Sequence, residues 1–419
     1  MKTPIVVLSI LAAAALPARP GELRAGAARV EITPARDAAL PMAGYASRAE
    51  GHKTVHDPLF VRALVLEDGA TSAAIVSLDL IFAPENLWSR ITARVEREAG
   101  IPPHMVLLAA THTHAGPTTG AVKPEFEERW KAWMAATEDK IVQAVREAKA
   151  SLRPARYGAA TGKASVNTNR RARTAAGGWG LGVNPEGPSD KTVGVIRFET
   201  LQGEPIAVLI NYCVHGTVTG PQNYALSGDL PGAAERFVEQ QMGDKVVALW
   251  TSGASGDQNA IYGPGNDLRQ VALLGTILGE EIVRVAKNVR TTQQVRLQGA
   301  QRVIACPGQR MTPESKTGTP NISFVDADPV NVRVSVLTVG HLALAGVSGE
   351  VLTAIGTRVK RESPFAFTVM TTHTNGSSGY IADDASYDQV SYEIWTTRLK
   401  RGCAETAIVG AALDMMDRM

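Results

Sequence analysis

Cysteine is scarce. The 419 residues hold three, Cys213, Cys306 and Cys403. That excludes a disulfide framework and a paired-thiolate zinc knuckle, and leaves one disulfide open. A chain of this length builds its core without covalent staples. An excess of one charge is also lacking. Forty-three Lys and Arg against 41 Asp and Glu leave a formal net charge of +2. Without a concentrated basic face, a nucleic-acid partner is not expected. Beyond the first residues no long apolar run occurs, so the mature chain is expected to have no transmembrane segment. Internal repeats, low-complexity tracts and an inter-domain linker are missing too. Oligomeric state has no signature here.

What is present is ordinary for a soluble globular protein: 44% hydrophobic and 20% charged residues. The start of the chain differs from the rest. Lys2 supplies a positive charge, residues 5–16 are apolar, and small residues follow at Ala15 and Ala18 before Pro20-Gly21. This pattern predicts a signal peptide over 1–18 and an exported domain, periplasmic or secreted, over 19–419.

The body of the chain repeats one local theme: an apolar strand, a polar or glycine-rich loop, then a helix. Strands are expected at 27–32, 61–66, 73–80, 105–110, 191–199, 205–211, 245–250, 332–339, 342–347 and 367–372. Helices are expected at 84–98, 127–148, 231–242, 270–288, 351–360 and 405–416. The fold class is therefore α/β: layers around a mixed sheet, with functional groups gathered at strand ends. Residues 167–189 read as a long Gly- and Arg-rich loop, of the kind that binds or covers ligands.

Chemistry concentrates at those strand ends. The strand at 105–110 runs straight into Thr111-His112-Thr113-His114. In an extended segment two imidazoles one residue apart share a face, where they bind a metal or simply pair across a turn. His215 follows another buried strand. Glu350 follows Ser348-Gly349 before a helix, as a ligand or as a partner of the positive helix end. Arg170, Arg171 and Arg173 form either solvated surface charge or an oxyanion clamp. Asp79, Asp229 and Asp257 sit at loop starts, where they organise turns, hold a histidine or assist a second metal. His373 is a candidate donor near Tyr380, and His104 and His341 read as structural or surface residues.

Taken in order along the chain, these residues resemble the neutral (non-lysosomal) ceramidase family. The resemblance rests on Val30-Glu31-Ile32-Thr33-Pro34, Met42-Ala43-Gly44-Tyr45, the segment from Thr111 to Pro117, Asn169-Arg170, His215 with Ser227-Gly228-Asp229, Ser348-Gly349-Glu350, and Gly379-Tyr380-Ile381 with Tyr387 and Tyr392-Glu393. It covers nearly all of the mature chain and implies a mixed-sheet catalytic domain of neutral ceramidase type. It also implies one catalytic Zn2+ held by His112, His215, Glu350 and Tyr380. His114 and Arg170 would lie beside the metal and contact the substrate, an amide-containing small molecule or lipid.

Two departures bear on the substrate. Asn259 stands where the family has a serine, so a mechanism needing that serine as nucleophile is excluded, while the amide can still donate a hydrogen bond. Gly216-Thr217-Val218-Thr219 also replaces the family's usual loop. Larger members continue into a β-sandwich beyond the position where this sequence stops, which suggests a smaller or more soluble amide than ceramide. The competing readings are a zinc esterase or lactonase, a two-metal phosphoesterase, and a non-catalytic binding protein.

Overall fold

The computed structural model describes residues 21–419 apart from 70 and 244. The expected signal peptide lies outside the described residues. The chain runs three times through one order of elements. Three strands form an antiparallel meander, a helix crosses over, a fourth strand adds parallel to the third, and a second helix follows.

The first pass uses Arg24–Glu31, Phe60–Glu67 and Ser72–Leu78, then helix Glu85–Ala99, strand Val106–Ala110 and helix Pro124–Ala150. The second uses Arg153–Lys163, Thr192–Thr200 and Pro205–Tyr212, then helix Asp229–Met242, strand Val247–Ser252 and helix Leu268–Lys287. The third uses Leu297–Met311, Phe324–Val339 and Leu342–Val347, then helix Thr353–Glu362, strand Phe367–Thr371 and helix Ala404–Met416. The first two passes fuse into one eight-stranded sheet where Arg24 and Ala25 pair with Pro154 and Arg153. The third forms its own four-stranded sheet.

This triplication is structural, beside a sequence in which no repeat is read. It lies in topology and pairing, which different residues satisfy equally well. The crossovers place parallel strands where both faces are covered. Ser72–Leu78 and Val106–Ala110 are accordingly buried along almost their whole lengths. Helix residues Leu87, Ile91, Val95, Ile141 and Val145 pack with strand residues Ala63, Val65 and Val76 in one core cluster, which also takes in Leu337 and Leu344 of the third pass. A second cluster joins Val208 and Ile210 to Leu274, Leu278 and Ile282. Each fully buried Leu, Ile or Val contributes about 1.5–3 kcal/mol by leaving water. The disulfide Cys306–Cys403 ties the third meander to its closing helix.

Residues 167–189 are not a loop. Asn167–Arg173 and Trp179–Asn184 form a hairpin, with Gln258–Ala260 as a third strand. Its polar and glycine-rich residues hid the alternation that marks a strand. Arg153–Lys163 and Leu297–Met311 went unanticipated for the same reason: both carry many polar or small residues with irregular burial.

Third and fourth strands of each pass run in parallel, so their C-terminal ends lie on one side and their loops meet. Thr111 donates its N–H to Leu78 O at 2.8 Å, Thr372 to Ser252 O at 2.8 Å, and Ala110 to His373 O at 3.2 Å. Ser252 Oγ donates to Thr111 O at 3.1 Å. Loops from all three passes are thereby locked together at the crevice outside the strand ends, the usual ligand position in open α/β sheets.

Candidate metal centre

The first pass delivers His112 and His114. His112 adopts a positive φ of 63°, uncommon for a residue with a side chain. Its N–H donates to Leu80 O at 3.0 Å. Its Nδ1 lies 2.7 Å from Ile81 O. A carbonyl only accepts, so Nδ1 carries the proton and Nε2 keeps its lone pair. The second pass delivers His215 with the same device: Nδ1 faces Ser255 O at 2.8 Å and Gln258 O at 3.1 Å. Its Nε2 is likewise left as the lone-pair nitrogen.

The third pass delivers Glu350, which pairs in register with Tyr380 across a two-residue parallel ladder. Glu350 Oε2 lies 3.4 Å from His112 Nε2 and 3.3 Å from His215 Nε2. Yet Glu350 Oε2 and His215 Nε2 are both buried and lack hydrogen-bond geometry to any partner among the described residues. His114 Nε2 approaches His112 Nε2 at 3.2 Å. His112, His114 and His215 thus bring one ring nitrogen each to within 4.8 Å of one another. Buried ring nitrogens and a carboxylate oxygen crowded around a common point, two of them unpartnered, fit a divalent cation.

The electrostatics agree. Burial pushes the His215 imidazole down to about 4, with Arg170 acting in the same direction. Burial, reinforced by His112 and His215, also holds His114 well below its ordinary value. These two rings are therefore neutral near pH 7, the form a metal requires. Burial would raise the Glu350 carboxyl, but the surrounding imidazoles, His112 foremost, hold it well below the usual range. Burial raises the Tyr380 phenol well above its ordinary value, against the pull of Arg170.

Two glycines make the approach possible. A Cβ on Gly44, whose φ is 93°, would lie 2.3 Å from His114 Nδ1. One on Gly216 would lie 2.9 Å from His112 O. Tyr45 meets the His114 ring edge-on at 5.2 Å and donates its hydroxyl to Thr219 O.

The hairpin at 167–184 supplies Arg170, which is buried. Its Nη2 donates to Tyr380 Oη at 2.9 Å, its Nη1 to Asn259 Oδ1 at 3.3 Å, and its Nε to Glu393 Oε1 at 2.7 Å. Arg171 is buried too, and turns away to Ser386, Gln389 and Ser391. Only Arg173 remains on the surface, over the Trp179 ring. The structure therefore gathers His112, His114, His215, Glu350, Tyr380, Arg170 and Asn259 in one constellation.

The three aspartates are spoken for elsewhere. Asp79 accepts from Phe60 N and Arg62, Asp229 from the 218–219 backbone, and Asp257 from Thr353 and Asn169. They hold loops in place and do not build a second metal site. Two participants were under-read in the sequence. His373 stacks directly on His112, and Glu393 anchors Arg170 from full burial. The sequence signals were the distance of His373 from Tyr380 and the Tyr392-Glu393 pair, neither of which indicates a contact.

Comparison with known proteins decides the kinship. The family model for neutral/alkaline non-lysosomal ceramidase, N-terminal, matches residues 23–265, more than half of the chain. The chain belongs to this family. The neutral ceramidase of Pseudomonas aeruginosa is 27% identical over 279 residues, covering 63% of this chain and 41% of that protein. Neutral ceramidase B of Dictyostelium discoideum is 28% identical over 271 residues, covering 58% and 34%. The chain thus spans about two fifths or less of the length of these relatives. The crystal structure of the Pseudomonas aeruginosa neutral ceramidase superimposes with a TM-score of 0.80 at 20% identity, over 96% of this chain and 75% of that one. A ceramidase complexed with C2 gives the same score at 19% identity, over 96% and 76%. Fold and family membership are established together.

Proposed function

We propose that this protein is a zinc-dependent amidohydrolase that cleaves the amide of an N-acyl compound, ceramide-like or smaller. The observation that carries the reading is the locked tautomer of His112 and His215. Three backbone carbonyls hold the two Nδ1 atoms protonated and turn both Nε2 atoms towards the carboxylate of Glu350. His112, His215, Glu350 and Tyr380 are the proposed ligands, and zinc suits a set of imidazoles with a carboxylate. When bound, the zinc lowers the pKa of water and polarises the scissile carbonyl.

The remaining work falls to the chain's own groups. His114, kept neutral by burial and set against His112, is placed to carry a proton towards the leaving amine. Arg170 and the Tyr380 hydroxyl form a fixed donor pair for charge developing on the carbonyl oxygen. Asn259 accepts from Arg170 through Oδ1, which leaves its NH2 for the substrate.

Zn2+ as the physiological metal and export to the periplasm or medium belong to the same proposal. The apolar segment at 5–16 and the disulfide Cys306–Cys403 support export. No described helix is long and apolar enough to cross a membrane.

The test is a mass-spectrometric product assay on zinc-quantified protein, with ceramide, N-acyl amino acids, cyclic amides and lactones. Released sphingosine, or another amine, supports the reading. Turnover of the lactones alone would replace the amidase with an esterase, and no turnover by fully zinc-loaded protein would refute the proposal.

A further inference from the structure

The rings of His112 and His215 are fixed by backbone carbonyls at Nδ1, and the ring of His114 is not. Its Nδ1 is buried with no hydrogen-bond partner among the described residues, and its Nε2 meets His112 Nε2 at 3.2 Å. With no carbonyl to set the tautomer, either nitrogen can carry the proton. The orientation of this ring therefore comes from what packs against it, the strap 42–48. Met42 bridges Pro117, and the Ala43 N–H donates to Gly116 O at 2.9 Å, which lays the strap beside the histidine loop. Gly44 sits against the His114 ring with no room for a Cβ, and Tyr45 meets the ring edge-on.

Arg48 fastens the strap. Its N–H closes the turn on Tyr45 O at 3.1 Å, and its guanidinium lies 4.8 Å from the centre of the Tyr45 ring. Nη1 donates to Ala43 O at 2.7 Å and to His114 O at 2.5 Å, and Nη2 donates to Gly220 O at 2.9 Å. Three segments meet on this one side chain: the strap, the loop that carries His114, and the loop that follows His215. Arg48 gives these hydrogen bonds to carbonyls and not to a carboxylate, although burial works against its charge. The guanidinium suits the task because its planar fork of N–H groups spans diverging acceptors, which the compact ammonium of a lysine does not.

We propose that Arg48 is a positioning residue for His114. By gripping the carbonyls of Ala43, His114 and Gly220 it holds the strap against the imidazole and keeps that ring facing His112. Arg48 touches no reacting atom and acts through Gly44 and Tyr45. Its catalytic consequence rests on the proton-carrying role proposed for His114, while the placement of the ring does not.

Arg48→Met, which keeps the stem and removes the donors, and Arg48→Lys, which keeps the charge, test this in zinc-loaded full-length protein. Nuclear magnetic resonance of isotope-labelled histidine rings reads the placement without substrate. In Arg48→Met the His114 ring signals are expected to shift or broaden, with those of His112 and His215 unmoved and zinc content unchanged. On the amide turned over in the product assay, kcat is expected to fall about 10-fold at a KM near wild type, a part of the roughly 10²–10⁴ that positioned proton transfer contributes. Arg48→Lys is expected to recover part of both effects, and its ring signals decide the matter where Arg48→Met does not fold. An unmoved His114 ring overturns the proposal. So does loss of zinc or movement of all three rings, which would make Arg48 a support of the whole centre. A moved His114 ring in a protein whose wild type turns over no amide upholds Arg48 as the fastener and removes the amidohydrolase reading instead.

Discussion

Glu393 offers the sharpest perturbation of the proposed catalytic apparatus. It is fully buried between two buried guanidiniums, Arg170 at 2.7 Å and Arg171 at 3.5 Å, and also accepts from Ser391. Removing one partner of a buried ion pair leaves an uncompensated charge and typically costs about 3–5 kcal/mol. Glu393→Ala strands two cations, so a loss at or above the upper end of that range is expected. Glu393→Gln keeps an acceptor for Arg170 Nε and is expected to lose less. The catalytic effect arises separately. Glu393 fixes the Nε edge of the guanidinium whose Nη2 reaches Tyr380 Oη. A guanidinium free to rotate weakens that donor pair, and losing one oxyanion donor costs about 10²–10³ in kcat. Glu393 acts through Arg170, so the expected loss in Glu393→Gln is smaller, about 10-fold to 100-fold, mostly in kcat. Urea denaturation, zinc quantification and steady-state kinetics on the substrate found in the product assay measure the three effects. Glu393→Gln with wild-type kcat would refute the positioning role. Loss of zinc in that variant would show that Glu393 supports the metal rather than the arginine.

His112→Ala is expected to lose most bound zinc and most activity while the fold remains, and zinc retained at wild-type affinity would refute its ligand role. Asn259→Ser restores the family residue beside Arg170 and is expected to shift preference among amides; an unchanged specificity profile would remove Asn259 from the substrate site. Gly44→Ala places a Cβ 2.3 Å from His114 Nδ1 at a φ of 93°, so activity should fall at least 10-fold with zinc content preserved. Wild-type activity in that protein would argue against a working role for His114. Cys306→Ser with Cys403→Ser opens a loop of 97 residues, and the chain-entropy model expects a loss of about 4–5 kcal/mol. Equal urea midpoints for the double variant and the oxidised wild type would refute that.

The legible parts of the sequence were those where chemistry follows a buried strand. Apolar runs ending at Ala110, Tyr212 and Val347 announced both the sheets and the places where His112, His215 and Glu350 emerge. Arg170 was legible as a residue but not as a geometry. Its strand is Asn-Thr-Asn-Arg-Arg-Ala-Arg, buried through hydrogen bonds and ion pairs instead of apolar contact, so periodicity carries no signal. His373 was obscured because its place depends on a left-handed turn and on a strand from the first pass, roughly 260 residues earlier. Local pattern does not encode a contact of that range.

The triplicated topology explains why the centre lies where it does. Each pass ends a parallel strand pair at the same crevice, and each gives the centre a donor that the other two lack. His112 and His114 follow the fourth strand of the first pass, and His215 follows the third strand of the second. Glu350 and His373 follow the third and fourth strands of the third. No single pass can hold the ion, because its donors converge only when all three have docked. A ligand that binds only the assembled state stabilises that state by mass action. A cation held there would act on the junction between the two sheets as well as on the proposed reaction, and its removal should loosen that junction before it unfolds any one meander. Hydrogen exchange on metal-free protein would show this as early opening of 111–116, 213–216 and 348–351 while the central strands stay protected. Uniform exchange across all three passes would mean that the junction stands without its metal.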